Sequence, residues 1–181
     1  MVLVAVLAGL AAYAFQTRPH PSTPRPAPAL FPCDTTETID LRLKGSGGKL
    51  VEAHRSSPSE DWQLTQPSSA PADNAVLNDL LLTADQLRAT DTLASVPSGQ
   101  DLGLAPPQLT VDCLLRKGAS YTLTVGSQNF DGSGSYARVS GDSRVHVIPS
   151  AAAQKFQKVL AQPPVRQSPF PTGSPSPSPS T

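Results

Sequence analysis

Cysteine, aromatic residues and charge of either sign are all in short supply in this chain, and each shortage excludes something. Two cysteines, Cys33 and Cys113, are too few for a disulfide framework, and no Cys-x-x-Cys or Cys/His spacing offers a zinc site. The 14 basic and 14 acidic residues cancel, and the basic ones form no block or stripe. A protein that binds nucleic acid needs such a patch to displace counterions from phosphates, so no nucleic acid is expected. Aromatics make up 5% of the residues, with one tryptophan, Trp62. The chain also lacks paired carboxylates, Asp-x-Asp metal loops and a Gly-x-Ser-x-Gly elbow. No catalytic residue, metal or cofactor is therefore expected.

Proline, by contrast, is abundant at 20 residues, and it clusters at the two ends. Residues 1–16 begin with an uncharged apolar run. At 1.5 Å per residue the first 15 would span roughly 22 Å as a helix, against a hydrocarbon core of about 30 Å. Two readings stand. The favoured one is a short uncleaved transmembrane anchor. The other is a cleaved signal peptide, with Ala12-Tyr13-Ala14 as its small-x-small site but no basic n-region. Residues 17–30 hold prolines at 19, 21, 24, 26 and 28 and read as a semi-rigid polyproline II spacer. Residues 163–181 read as a disordered Pro/Ser tail.

The folded part is expected over residues 31–162, and its clearest element starts at Asp73. An aspartate here can cap the first turn of a helix, and Val76, Leu77, Leu80, Leu81, Ala84 and Leu87 then recur on one stripe. Before it, period-2 alternation predicts strands over 38–44, 49–55 and 61–66. After a connection with a short strand or helical turn around 93–96, strands are predicted over 108–116, 120–125, 136–140 and 144–148. A last helix follows, with Ser150 as its cap and Ala152, Phe156, Val159 and Leu160 as its stripe. The fold class is α+β: an antiparallel sheet made of two successive β-meander-plus-helix halves, with the helices on one side.

Gly45-Ser46-Gly47-Gly48-Lys49 invites a phosphate-loop reading. Its glycine spacing is wrong, Leu50 stands where a magnesium-coordinating hydroxyl belongs, and a strand follows, so it reads as a hairpin turn. His54 and His146 fall on strand faces opposite the expected core and read as solvated. Cys113 alternates with core positions and reads as a buried thiol, with a bond to Cys33 as the alternative outside the cytoplasm. Weak candidates for a binding surface are Trp62, which could line a groove but suits a helix–sheet anchor better, and Tyr136 with Arg138, which share one strand face.

Several motifs now stand in order: Trp62-Gln63-Leu64-Thr65-Gln66-Pro67, Ala72-Asp73 opening a leucine-rich helix, Leu102-Gly103-Leu104-Ala105-Pro106-Pro107, Leu123-Thr124-Val125-Gly126, Tyr136-Ala137-Arg138 and Val145-His146-Val147-Ile148. In these the chain resembles the DUF4340 family, bacterial membrane-anchored proteins of unknown function. The family usually has an aromatic where this chain has Leu102, and a longer anchor. The resemblance implies a single-pass protein of the bacterial cell membrane whose domain faces the periplasm. It also implies an accessory role beside ABC-type transporter subunits. No family catalytic residues come with it. The expected function is non-enzymatic: an anchored interaction component of an envelope transport complex. A ligand- or glycan-binding module, or a hydrolase assembled from distant residues, is the alternative.

Overall fold

The computed structural model describes residues 29–96 and 101–167. The expected anchor, most of the proline spacer and the end of the Pro/Ser tail lie outside them. Among the described residues no helix is long and apolar enough to cross a membrane.

Within the described residues, nine antiparallel strands form one sheet. The first half comprises β1 (Thr38–Gly45), β2 (Leu50–His54), β3 (Gln63–Gln66), β4 (Ala70–Pro71) and helix α1 (Asn74–Asp85). After β5 (Asp91–Leu93), the second half comprises β6 (Leu109–Leu115), β7 (Ser120–Gln128), β8 (Gly134–Val139), β9 (Val145–Pro149) and helix α2 (Ser150–Ala161). The strand order is β4-β3-β2-β1-β6-β7-β8-β9-β5. Each half is a meander, and the two join through β1 and β6, paired from Thr38–Leu115 to Gly45–Leu109.

Alternation decides which face is buried. Leu41, Leu43, Val51, Ala53, Leu64, Val111, Leu123, Val125 and Ala137 point to one face and pack with Leu77, Leu80, Leu81, Phe156 and Val159 from the helices. Among the described residues the other face carries no helix. Asp73 caps α1 as expected, its carboxylate accepting from the N–H groups of Ala75 and Val76. Val76, expected on the inner stripe, is exposed instead; Leu77, Leu80, Leu81 and Ala84 are buried as expected, as is Leu87 just past the helix end. Ser150 does not cap α2. Pro149 holds the cap position with no side-chain bond, because Ser150 is already helical and its N–H donates to Ser133 O across the β7–β8 loop.

Three further pairings lock the perimeter. Cys33, just before β1, and Cys113 on β6 form a disulfide with Cα atoms 6.1 Å apart, so neither is a free thiol. Residues 163–167, expected in the tail, strap the β4 edge. Asp73 N donates to Pro164 O at 2.7 Å, Arg166 N donates to Pro71 O at 2.9 Å, and the Arg166 guanidinium meets Asp61 at 2.7 Å. The Gly45–Lys49 turn closes the β1–β2 hairpin, with Gly48 at φ 77°.

Two of the sequence motifs meet in space. Ser127 N donates to Leu102 O at 2.8 Å, which lays residues 101–104 against the end of β7. A Cβ on Gly126 would stand 2.1 Å from Leu102 O, and one on Gly103, at φ 66°, would stand 2.3 Å from Ser127 Oγ. The pair of glycines is what lets these backbones touch. Gly126→Ala must push backbone against backbone, so a loss of about 2–3 kcal/mol is expected in denaturant unfolding, at the upper end of overpacking costs.

Candidate interaction face

The helix-free face is ordered by strand register into rows of side chains that are polar except at Leu114. One row runs Glu52, Arg42, Asp112, Thr122 across β2, β1, β6 and β7; the next runs His54, Asp40, Leu114, Ser120. A third runs Lys44, Thr110, Thr124, Arg138 from β1 to β8. Arg42 forms an ion pair with Glu52. His54 Nδ1 lies 2.8 Å from Asp40 Oδ1, and Thr122 Oγ1 donates to Asp112 Oδ1 at 2.6 Å. The first two rows, Thr122 apart, floor a trough of about 480 Å³ that Thr65 also lines. Arg42 with Glu52 and His54 with Asp40 make partly exposed pairs, and Asp112 is held by a hydroxyl, an arrangement worth little in stability but suited to a reversible polar contact.

At the far end the face turns apolar. Tyr136 is paired with Val147, and Val147 with Asp91, so all three share that side. With Leu93, Asn129, Phe130 and Asp131 they line a second groove of about 270 Å³. Tyr136 is half-buried and Arg138 exposed, on one face as expected and two residues apart.

Trp62 lies elsewhere. It has no exposure at all, so it offers nothing to a ligand. Its Nε1 donates to Asn78 on α1 at 3.0 Å, and the Arg55 guanidinium sits 4.4 Å from its ring centroid. Arg55 is itself buried and donates to the carbonyls of Thr38, Pro58 and Thr35 at 2.9, 2.8 and 2.7 Å, while burial pushes its pKa down. A buried arginine held by two carbonyls at the entry to β1 and one in the β2–β3 loop fixes the chain around β1 and β3.

His146 is buried too, contrary to the solvated reading. Its Nδ1 lies 2.9 Å from Thr92 Oγ1 on β5 and its Nε2 3.1 Å from Asp142 Oδ2 in the β8–β9 turn. The chain of carboxylate, imidazole and hydroxyl has the connectivity of a hydrolytic relay. Neither the trough nor the groove is lined by Thr92 or His146, and both ring nitrogens are occupied in tying an edge strand to a hairpin. We read it as a structural clasp. Among the described residues no three His, Cys, Asp or Glu side chains cluster to hold a metal.

Asp142 carries the clearest electrostatic signature. The Arg144 side chain, 2.7 Å away, and then its backbone N–H hold the carboxyl well below its ordinary value of 3.8, with His146 adding to the effect. A carboxyl depressed in the folded state contributes stability that is complete above its unfolded pKa. That contribution is lost as pH falls below about 4 through the folded value. Asp142→Asn should therefore flatten the decline in melting temperature between about pH 4 and pH 2 relative to the parent, as read by circular dichroism. An equal decline in both proteins would refute the assignment.

The fold and face define a class: a single-sheet α+β domain with helices on one side and a polar, uncovered sheet face on the other. The chain belongs to the family described as Domain of unknown function (DUF4340), which it matches over residues 62–162, from Trp62 through α2. No curated protein and no solved structure matches it. Strands β1 and β2, which supply half of the trough, lie before the matched segment.

Proposed function

We propose that this chain is a non-enzymatic interaction domain on the extracytoplasmic side of a bacterial membrane. In this reading residues 1–16 anchor it, and the helix-free sheet face contacts another envelope component, a subunit of an ABC-type transport complex. The observation that carries the reading is that face: partly exposed paired charges across β2 and β1 with Asp112 on β6, beside an apolar end at Tyr136 and Val147. The disulfide supports the location, because such bonds persist in oxidising compartments and are rare in the cytosol. The trough offers a glycan no aromatic platform, since its lining residues include none; the aromatics of this face, Phe130 and Tyr136, stand in the other groove.

The test is a mild in-cell crosslink, detergent purification through a tag after Thr181, and mass spectrometry. Transporter subunits recovered from the parent but not from a Tyr136→Ala/Arg138→Ala variant are expected. Recovery of the protein alone, or its appearance as soluble cytoplasmic material, would remove the proposal.

A further inference from the structure

Beyond the Tyr136 contact, the groove at the apolar end of the open face has features of its own. Phe130, at the tip of the β7–β8 loop, is fully exposed, yet the loop that carries it is tightly held. Asn129 Oδ1 accepts from Gly134 N at 2.9 Å, Asp131 Oδ1 accepts from Ser133 N and Oγ at 2.9 and 2.7 Å, and Gly132 N donates to Asn129 O at 3.1 Å. A large aromatic ring is thus held out in water on a preorganised loop, which lowers the entropy cost of binding through it. Beside it stand Tyr136 and Leu93, and the carboxylates of Asp91 and Asp131 flank them with no cation among the lining residues. Aromatic rings next to exposed carboxylates suit a proline-rich strand that carries arginine: proline rings pack on the aromatics, and guanidinium groups pair with the acids.

This chain supplies such a strand and delivers it to the right place. Residues 17–28 contain five prolines, Arg18 and Arg25, and no acidic residue. Their C-terminal end enters the fold at Leu30, whose N–H donates to Leu87 O at 2.8 Å. From Leu87 the chain needs only four residues to reach Asp91 in the groove, no more than about 14 Å. Twelve residues of polyproline II extend roughly 37 Å, ample to turn from that entry point onto the groove. We propose that residues 17–28 dock in their own chain's groove between Phe130, Tyr136, Asp91 and Asp131, so that the spacer holds the domain in a set orientation instead of trailing free. The inference rests on the proposed anchor, which holds the far end of the spacer, and the docked spacer shares Tyr136 with the proposed partner contact.

The experiment uses the full-length chain in its native membrane fraction, with Phe130 replaced by photoreactive benzoylphenylalanine. Irradiation should yield adducts to residues 17–28 within the same chain, mapped by mass spectrometry. Asp91→Lys should lower that yield about three-fold, the scale of an exposed ion pair reversed in sign, and Arg18→Glu/Arg25→Glu in the same chain should restore it. Asp91 is the position of choice because Asp131 also holds the loop. Adducts joining heavy to light copies in an isotopically mixed sample would assign the groove to a second copy and overturn the proposal. Adducts to another protein, no adduct to residues 17–28, or an unchanged yield in the Asp91→Lys chain would overturn it equally.

Discussion

Replacing Cys33 and Cys113 together with alanine is expected to lower the unfolding free energy by about 4 kcal/mol. The bond closes a loop of 80 residues. In the chain-entropy account a crosslink over that separation removes about 4–5 kcal/mol of unfolded-state freedom. The bond also joins two buried positions, one entering the fold and the other on β6, the strand that mates the two halves. A loss of that size is a large share of the roughly 5–15 kcal/mol typical of a domain. The melting temperature should fall by roughly 15 °C, and the same drop should follow when the parent is reduced before heating. A double variant as stable as the oxidised parent would show that the bond contributes nothing to the fold.

Trp62→Ala should cost about 3–5 kcal/mol, the range for removing a buried large aromatic. Three separate losses meet there. The ring fills the core under α1, its Nε1 satisfies Asn78, and its face supports the buried Arg55 guanidinium. Trp62→Phe separates them. It keeps a ring for Arg55 and most of the volume but leaves Asn78 Oδ1 without its donor, so about 1–2 kcal/mol is expected. Urea unfolding of the two variants side by side reads both values from the midpoints at constant slope. Equal small losses would place Trp62 outside the core, contrary to its complete burial.

Elements written into local spacing were legible in the sequence. The α1 stripe and the Asp73 cap depend on neighbours three or four residues away; the cap stands as expected and the stripe does so except at Val76. The strands of the two meanders follow from alternation, and the β1–β2 turn from its glycines. What local spacing does not encode is what covers an element from a distance. His146 looked solvated because alternation assumes one open face. Both faces of β9 are covered at Val145–Ile148, and the β5 edge strand adds a hydrogen-bonding partner for His146 from 54 residues away. Arg55 shows no local signal of burial, which comes from the carbonyls of residues 35, 38 and 58 that converge on it. The strap at 163–167 has no apolar period at all; it is held by backbone bonds to β4 and by Arg166 with Asp61.

The candidate face divides the same way. Tyr136 and Arg138 could be placed together from their spacing of two. The rows that join Glu52 to Arg42 to Asp112, and Asp91 to Val147 to Tyr136, exist only once strand order and register are known. Trp62 drew attention as a lone tryptophan, but rarity in composition does not distinguish a binding platform from a core anchor. Phe130 drew none, because one phenylalanine in a Gly/Ser loop shows no period, and its full exposure is a property of the folded loop.

The central claim, that the helix-free face meets an envelope partner, is tested most directly by comparing the two sides of the sheet. A photoreactive residue is placed in living cells at Thr124, on the open face, and in a second strain at Gln154, exposed on α2. Capture of the same transporter subunit from Thr124 and not from Gln154 is the predicted result. Capture from Gln154 alone, or from neither position, would contradict it.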